Sequence, residues 1–157
     1  MWWVNIVTAF VAASTASVGY FITNRAKLTE GRRATYASAL LAVETYKGLP
    51  YRIRRRTNSK PEVRGELGAL ISDAERDLDY YMLLLDLDRD EVALRFRALA
   101  VTARMKGTVK REEAWSAAPI STDAEMRFKD EYGYDDEHEI AMCKAAMFRR
   151  LRLWALH

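Results

Sequence analysis

The stretch MWWVNIVTAFVAASTASVGYFITN, residues 1–24, carries no charged side chain and ends against Arg25. About 20 apolar residues cross the hydrocarbon core of a bilayer as a helix. Trp2 and Trp3 at one end, with Tyr20 and Phe21 near the other, are residue types that favour the two membrane interfaces. Asn5, Thr8, Ser14, Thr15 and Ser17 dilute the apolar character, but helical Ser and Thr hydroxyls return to backbone carbonyls and are tolerated in lipid. The stretch therefore reads as a membrane span. A cleaved signal peptide fits less well, because no basic residue precedes the apolar run. A buried helix of a bundle is the remaining reading, which periodicity alone does not separate from a span.

Charge is distributed in three blocks. Residues 25–60 hold ten Lys/Arg against two Glu, a net of +8, and residues 61–157 hold fifteen Lys/Arg against twenty Asp/Glu, a net of −5. The basic block follows the apolar one and none precedes it, so the sequence predicts an outside N-terminus and a cytoplasmic C-terminal domain at the cell membrane. The blocks suggest a division into 1–24, a transmembrane helix; 25–60, a basic juxtamembrane helix and linker; and 61–157, an acidic helical domain. Arg outnumbers Lys by 18 to 7, the bias of a GC-rich bacterial genome.

Within the first block, Asn5, Thr8, Ala12, Thr15 and Gly19 fall at spacings of 3, 4, 3 and 4. Small and polar residues at that period form a seam along one helix face, where a second helix approaches closely. The expectation is a homo-oligomer.

The rest of the chain reads as helices. Residues 25–47 form one, with Gly31 as a weak point and Gly48 and Pro50 as its end. Pro61 suits a first helical residue, and Val63, Leu67, Leu70, Ile71, Ala74, Leu78, Tyr81 and Leu85 mark one amphipathic face. Asp88 with Glu91 has the capping-box spacing, followed by a buried stripe of Val92, Phe96, Leu99 and Ala103 up to Gly107. Thr122 with Glu125 is a second capping box. In the last helix Ile140, Cys143, Met147, Leu151 and Trp154 share a face. No strand-like alternation occurs. The predicted fold is all-α: an N-terminal single transmembrane helix followed by a cytoplasmic antiparallel helical bundle.

Reaction chemistry is sparse. DLDRDE, residues 86–91, lacks the sixth-position Gly and twelfth-position carboxylate of a calcium loop. YDDEHE, residues 134–139, clusters acids with His138, but consecutive helical positions point different ways, and such acids suit a helix start. Cys143 is a lone thiol on an apolar face. No phosphate loop, nucleophile elbow or dinucleotide turn is present. The chain is expected to be no enzyme, with no metal site and no cofactor.

The basic cluster of Arg52, Arg54, Arg55, Arg56 and Lys60 packs five cations into nine positions. Nucleic acid is an improbable partner, since the following domain is acidic and no reading motif appears. The bilayer competes with the chain's own acids, Asp73, Glu75, Asp77 and Asp79, which guanidinium groups bind in two-pronged fashion. The acids are the favoured target. The functional expectation is a single-pass, membrane-anchored scaffold or adaptor, acting by self-association and by binding an unidentified cytoplasmic protein partner. It requires an exposed apolar patch, around DYYMLLL (residues 79–85) or Trp115. The alternative is a membrane-acting effector of defence or toxin type, whose helical domain controls clustering of the spans.

Overall fold

The computed structural model describes residues 2–87, 90–120, 122, 125 and 134–156, with side chains except at 2–22 and 154–156. Five helices succeed one another: α1 (Trp2–Lys47), α2 (Leu49–Arg54), α3 (Pro61–Asp86), α4 (Glu91–Ser116) and α5 (Glu137–Leu156). Four are long, and no strand occurs among the described residues. The all-α bundle expected from sequence is what forms.

Local signals explain the breaks. Pro50 cannot continue α1, and it sits in the first turn of α2, where a missing N–H costs nothing. Gly48 stays right-handed at φ −76°, rather than taking the left-handed cap conformation that its sequence context suggested. Pro61 opens α3 after an extended Lys60, whose N–H donates to Asn58 Oδ1 at 2.9 Å. Asp90 caps α4, accepting from the N–H groups of Val92 and Ala93 at 2.9 and 3.2 Å. The cap is thus Asp90 and not Asp88, which lies outside the described residues.

Ion pairs fix the directions. Arg104 meets Asp79, Arg111 meets Glu75 at 2.8 Å and Arg97 meets Asp86, so α3 and α4 lie antiparallel. Arg149 on Glu91 and Arg150 on Asp90 bring the end of α5 to the start of α4. At the opposite end Lys47 of α1 reaches Asp136, just before α5, at 3.0 Å. Helices α1 and α4 therefore run one way and α3 and α5 the other.

The core lies between them. Tyr36, Ala39, Val43 and Tyr46 of α1 meet Leu78 and Leu85 of α3, Phe96, Leu99 and Ala103 of α4, and Cys143 and Met147 of α5. Each large apolar side chain fully buried there contributes about 1.5–3 kcal/mol. The buried stripe expected in α4 is confirmed, with Val92, Phe96, Leu99 and Ala103 each 2% exposed or less. Helix α4 does not stop at Gly107 but runs through it to Ser116. A Cβ at Gly107 would lie 2.6 Å from the Tyr46 ring and 3.0 Å from the Tyr134 hydroxyl, so the residue serves packing, not termination.

The membrane expectation is corrected. Among the described residues no helix is long and apolar enough to cross a membrane. The first element is instead one 46-residue helix, continuous through Gly31, whose later part belongs to the bundle. Arg25, Lys27, Glu30, Arg32 and Arg33 interrupt it with charge, and from Tyr36 onward one face is buried against the other helices. The transmembrane helix, the single-pass topology, the lipid bilayer as partner, the cell-membrane localisation with a cytoplasmic C-terminal domain, and both membrane-based functions go with it. The seam of Asn5, Thr8, Ala12, Thr15 and Gly19 lies outside the residues whose side chains are described.

Candidate functional site

Two members of the basic cluster, Arg54 and Arg56, turn toward the end of α4, where they meet backbone carbonyls. Arg56 is 6% exposed. Its guanidinium donates to the carbonyls of Ile53, Ala114, Trp115 and Ala117 at 2.9, 3.0, 3.4 and 2.6 Å, and to Ser59 Oγ at 3.1 Å. Helix ends leave carbonyls without intrahelical partners, and a cation near a C-terminus also meets the negative end of the helix dipole. Arg56 supplies both to α4. Burial pushes its pKa down from the ordinary value, assisted by Arg54 and then Arg64, yet guanidinium remains charged. Arg54 donates to the Ala118 carbonyl, and its own carbonyl accepts from the Ile120 N–H at 3.0 Å. Trp115, half-buried, lies beside the guanidinium groups of Arg56 and Arg64, at 5.4 and 4.9 Å from the ring centre. Arg52, Arg55 and Lys60 are exposed. Three of the four acids expected to receive the cluster have other partners: Asp73 takes Arg76, Glu75 takes Arg111 and Asp79 takes Arg104. Arg54 and Arg56 tie the chain after α4 to the end of α2; they are structural.

A second polar cluster surrounds Tyr134. Its ring packs over Gly107, with the ammonium groups of Lys47 and Lys110 at 5.4 and 5.5 Å from the ring centre. Lys106 donates to the carbonyls of Tyr134 and Asp135, the latter in a left-handed backbone conformation with φ 44°. Burial, before the influence of Tyr46, drives the Tyr134 phenol well above its usual pKa. The group anchors the approach to α5. Among the described residues no three His, Cys, Asp or Glu side chains are placed to hold a metal ion. Cys143 is buried in the core, which pushes its thiol up to about 11 and makes it a poor nucleophile at neutral pH.

The remaining feature is apolar and faces water. Leu94, Ala98, Val101, Met105 and Val109 follow one another at spacings of 4, 3, 4 and 4 along the side of α4 opposite the core. Leu94 is 71% exposed, Met105 66% and Val109 55%. The stripe covers about 22 Å of helix. At one end Leu94 shares a hollow of about 620 Å³ with Leu83, Leu87 and the Asp86–Arg97 pair. At the other, Met105 and Val109 border a hollow of about 480 Å³ with Tyr134 and Asp135. Beside the stripe run the Arg97–Asp86, Arg104–Asp79 and Arg111–Glu75 pairs, at seven-residue intervals along α4.

The exposed patch expected around residues 79–85 is there in part, with Tyr80 and Leu83 in water, whereas Trp115 is half-buried beside Arg56 and Arg64. The outer stripe of α4 is what the sequence reading missed. Its signal was available: α4 carries two apolar rows, and only the row containing Phe96 was read.

No protein-family model matches the chain, nor does any curated protein or solved structure.

Proposed function

We propose that this chain is a self-associating helical interaction module, acting by binding rather than by catalysis. The observation that carries the reading is the apolar outer face of α4, where large aliphatic side chains stand in water on a helix already anchored to the core by its other side. Isolated exposed leucines are ordinary on protein surfaces, but a continuous row that joins two hollows is the usual mark of an interface. The chemistry of the described side chains supports binding as well. The buried charged groups Arg56 and Asp136 are occupied in holding helix ends together, the latter with the partly buried Lys47, and Cys143 is sealed in the core.

Sedimentation velocity of the full chain across a wide concentration range tests the reading. A mass that rises with concentration toward a multiple of 18.0 kDa is expected. A single monomeric species throughout would overturn self-association.

A further inference from the structure

We propose that the occupant of the α4 outer face is a second copy of this chain, seated on the same face in an isologous dimer. The inference deepens the self-association reading and rests on it.

Area is the first argument. Leu83, Leu87, Leu94, Val101, Met105 and Val109 leave between 44% and 74% of their surface in water. Together they amount to roughly 600–700 Å² per copy, above the largest apolar patch of a typical monomer, which is about 300–600 Å². Two such patches buried against each other remove on the order of 1,300 Å², inside the range of about 1,200–2,000 Å² that specific dimers use. The patch is therefore large enough for a copy of itself.

Charge is the second. The ionic groups that flank the row on the α3 side are already matched within the copy: Arg97 with Asp86, Arg104 with Asp79, Arg111 with Glu75. Flanking charges that cancel on the α3 side raise no like-charge repulsion along that edge when the face meets itself, and they offer little electrostatic steering there to a strongly charged foreign partner. A closed two-fold dimer needs one self-compatible patch and leaves no second patch to propagate a fibre. Shape agrees with both. Ala98 is the small residue in the row, flanked by Leu94 and Val101, and a small side chain within the row lets two helix backbones approach.

The test introduces one surface thiol at a time into the full chain. Ala98→Cys places a thiol within the row, level with its copy if the two helices run parallel and about 10 Å from it along the axis if they run antiparallel about the row's centre. Leu41→Cys places one on the outer side of α1, where Leu41 is 66% exposed. Cys143 stays silent because it is buried. A short bis-maleimide is expected to convert most of A98C to covalent dimer and to leave L41C monomeric, at least a tenfold difference. A fold control comes from Val101→Glu with Met105→Glu, which should abolish the concentration-dependent mass while leaving the helical circular dichroism and melting temperature unchanged. Cross-linking of L41C but not A98C, with mass still rising, would overturn this interface and leave self-association standing. A mass that never rises would overturn both. A V101E/M105E chain that stays dimeric would sink the α4 face alone.

Discussion

Helix α4 has two apolar rows with different fates. The inner row, Val92, Phe96, Leu99 and Ala103, is shut away from water, while the outer row, Leu94, Val101, Met105 and Val109, stands in it. Both have helical spacing and similar residue types. What separates them is the surroundings: the inner row packs into the core with α1, α3 and α5, and the outer row lies outside that core, 44–71% exposed. Apolar character alone therefore did not decide which side of α4 became core. The Arg97–Asp86, Arg104–Asp79 and Arg111–Glu75 pairs mark the boundary between the two rows on the α3 side.

The largest effect belongs to the inner row. Phe96→Ala removes a ring that is 1% exposed from the centre of the bundle. A truncation of this kind costs about 3–5 kcal/mol, transfer and cavity together. Urea unfolding at neutral pH should show it as a lowered midpoint with little change in slope. A loss below about 1 kcal/mol, the size of an ordinary substitution, would erase the distinction between the rows.

Next comes the end of α4. Arg56→Gln leaves several buried carbonyls short of donors, and each unsatisfied group costs about 1–3 kcal/mol before relaxation. The expected net loss is about 2–4 kcal/mol, with red-shifted Trp115 fluorescence as the ring beside Arg56 opens to water. Arg52→Gln is the control. Arg52 is exposed, and its loss should be close to neutral.

Those two arginines also show where the sequence was legible and where it was not. Helix positions, the buried row of α4, the Pro61 start and the burial of Cys143 all follow from periodicity and local stereochemistry, which short segments carry in full. Which arginine of Arg52, Arg54, Arg55 and Arg56 goes inside depends on carbonyls of residues 114–118, sixty positions away. Nothing in a run of like charges marks one member for burial. The same holds for Gly107, whose role is set by Tyr46 and Tyr134 from two other parts of the chain. Residues 1–24 misled for a different reason: freedom from charge suggests a span, but Asn5, Thr8, Ser14, Thr15 and Ser17 dilute the apolar character, and among the described residues no helix is long and apolar enough to cross a membrane.

A smaller effect is confined to alkaline pH. The Cys143 thiol is raised from 9.0 to about 11, chiefly by burial, so the fold holds it neutral where the unfolded chain would ionise it. A raised pKa gives stability that is complete below pH 9 and is lost as pH climbs toward 11. Cys143→Ala should flatten the stability profile over that window, leaving the later fall from Tyr134, whose phenol is also raised. An unchanged alkaline slope in the alanine variant would show that the thiol ionises as freely in the bundle as outside it.

The smallest expected effect bears most directly on the two rows. Leu94→Ser changes a side chain that is 71% exposed, and Val101→Ser one that is 44% exposed. A residue that spends little of its surface on the core has little folding energy to lose, so each should shift monomer stability by less than about 0.5 kcal/mol. The measurement must be made at concentrations where the chain is monomeric, because a dimer adds apparent stability by mass action. At higher concentration the wild type should gain melting temperature and the serine variants should not. That divergence is the useful quantity, since it separates what the outer row does for one copy from what it does for two. Serine variants that lose several kcal/mol as monomers would mean that the outer row is held against this same chain, and α4 would then have two inner faces.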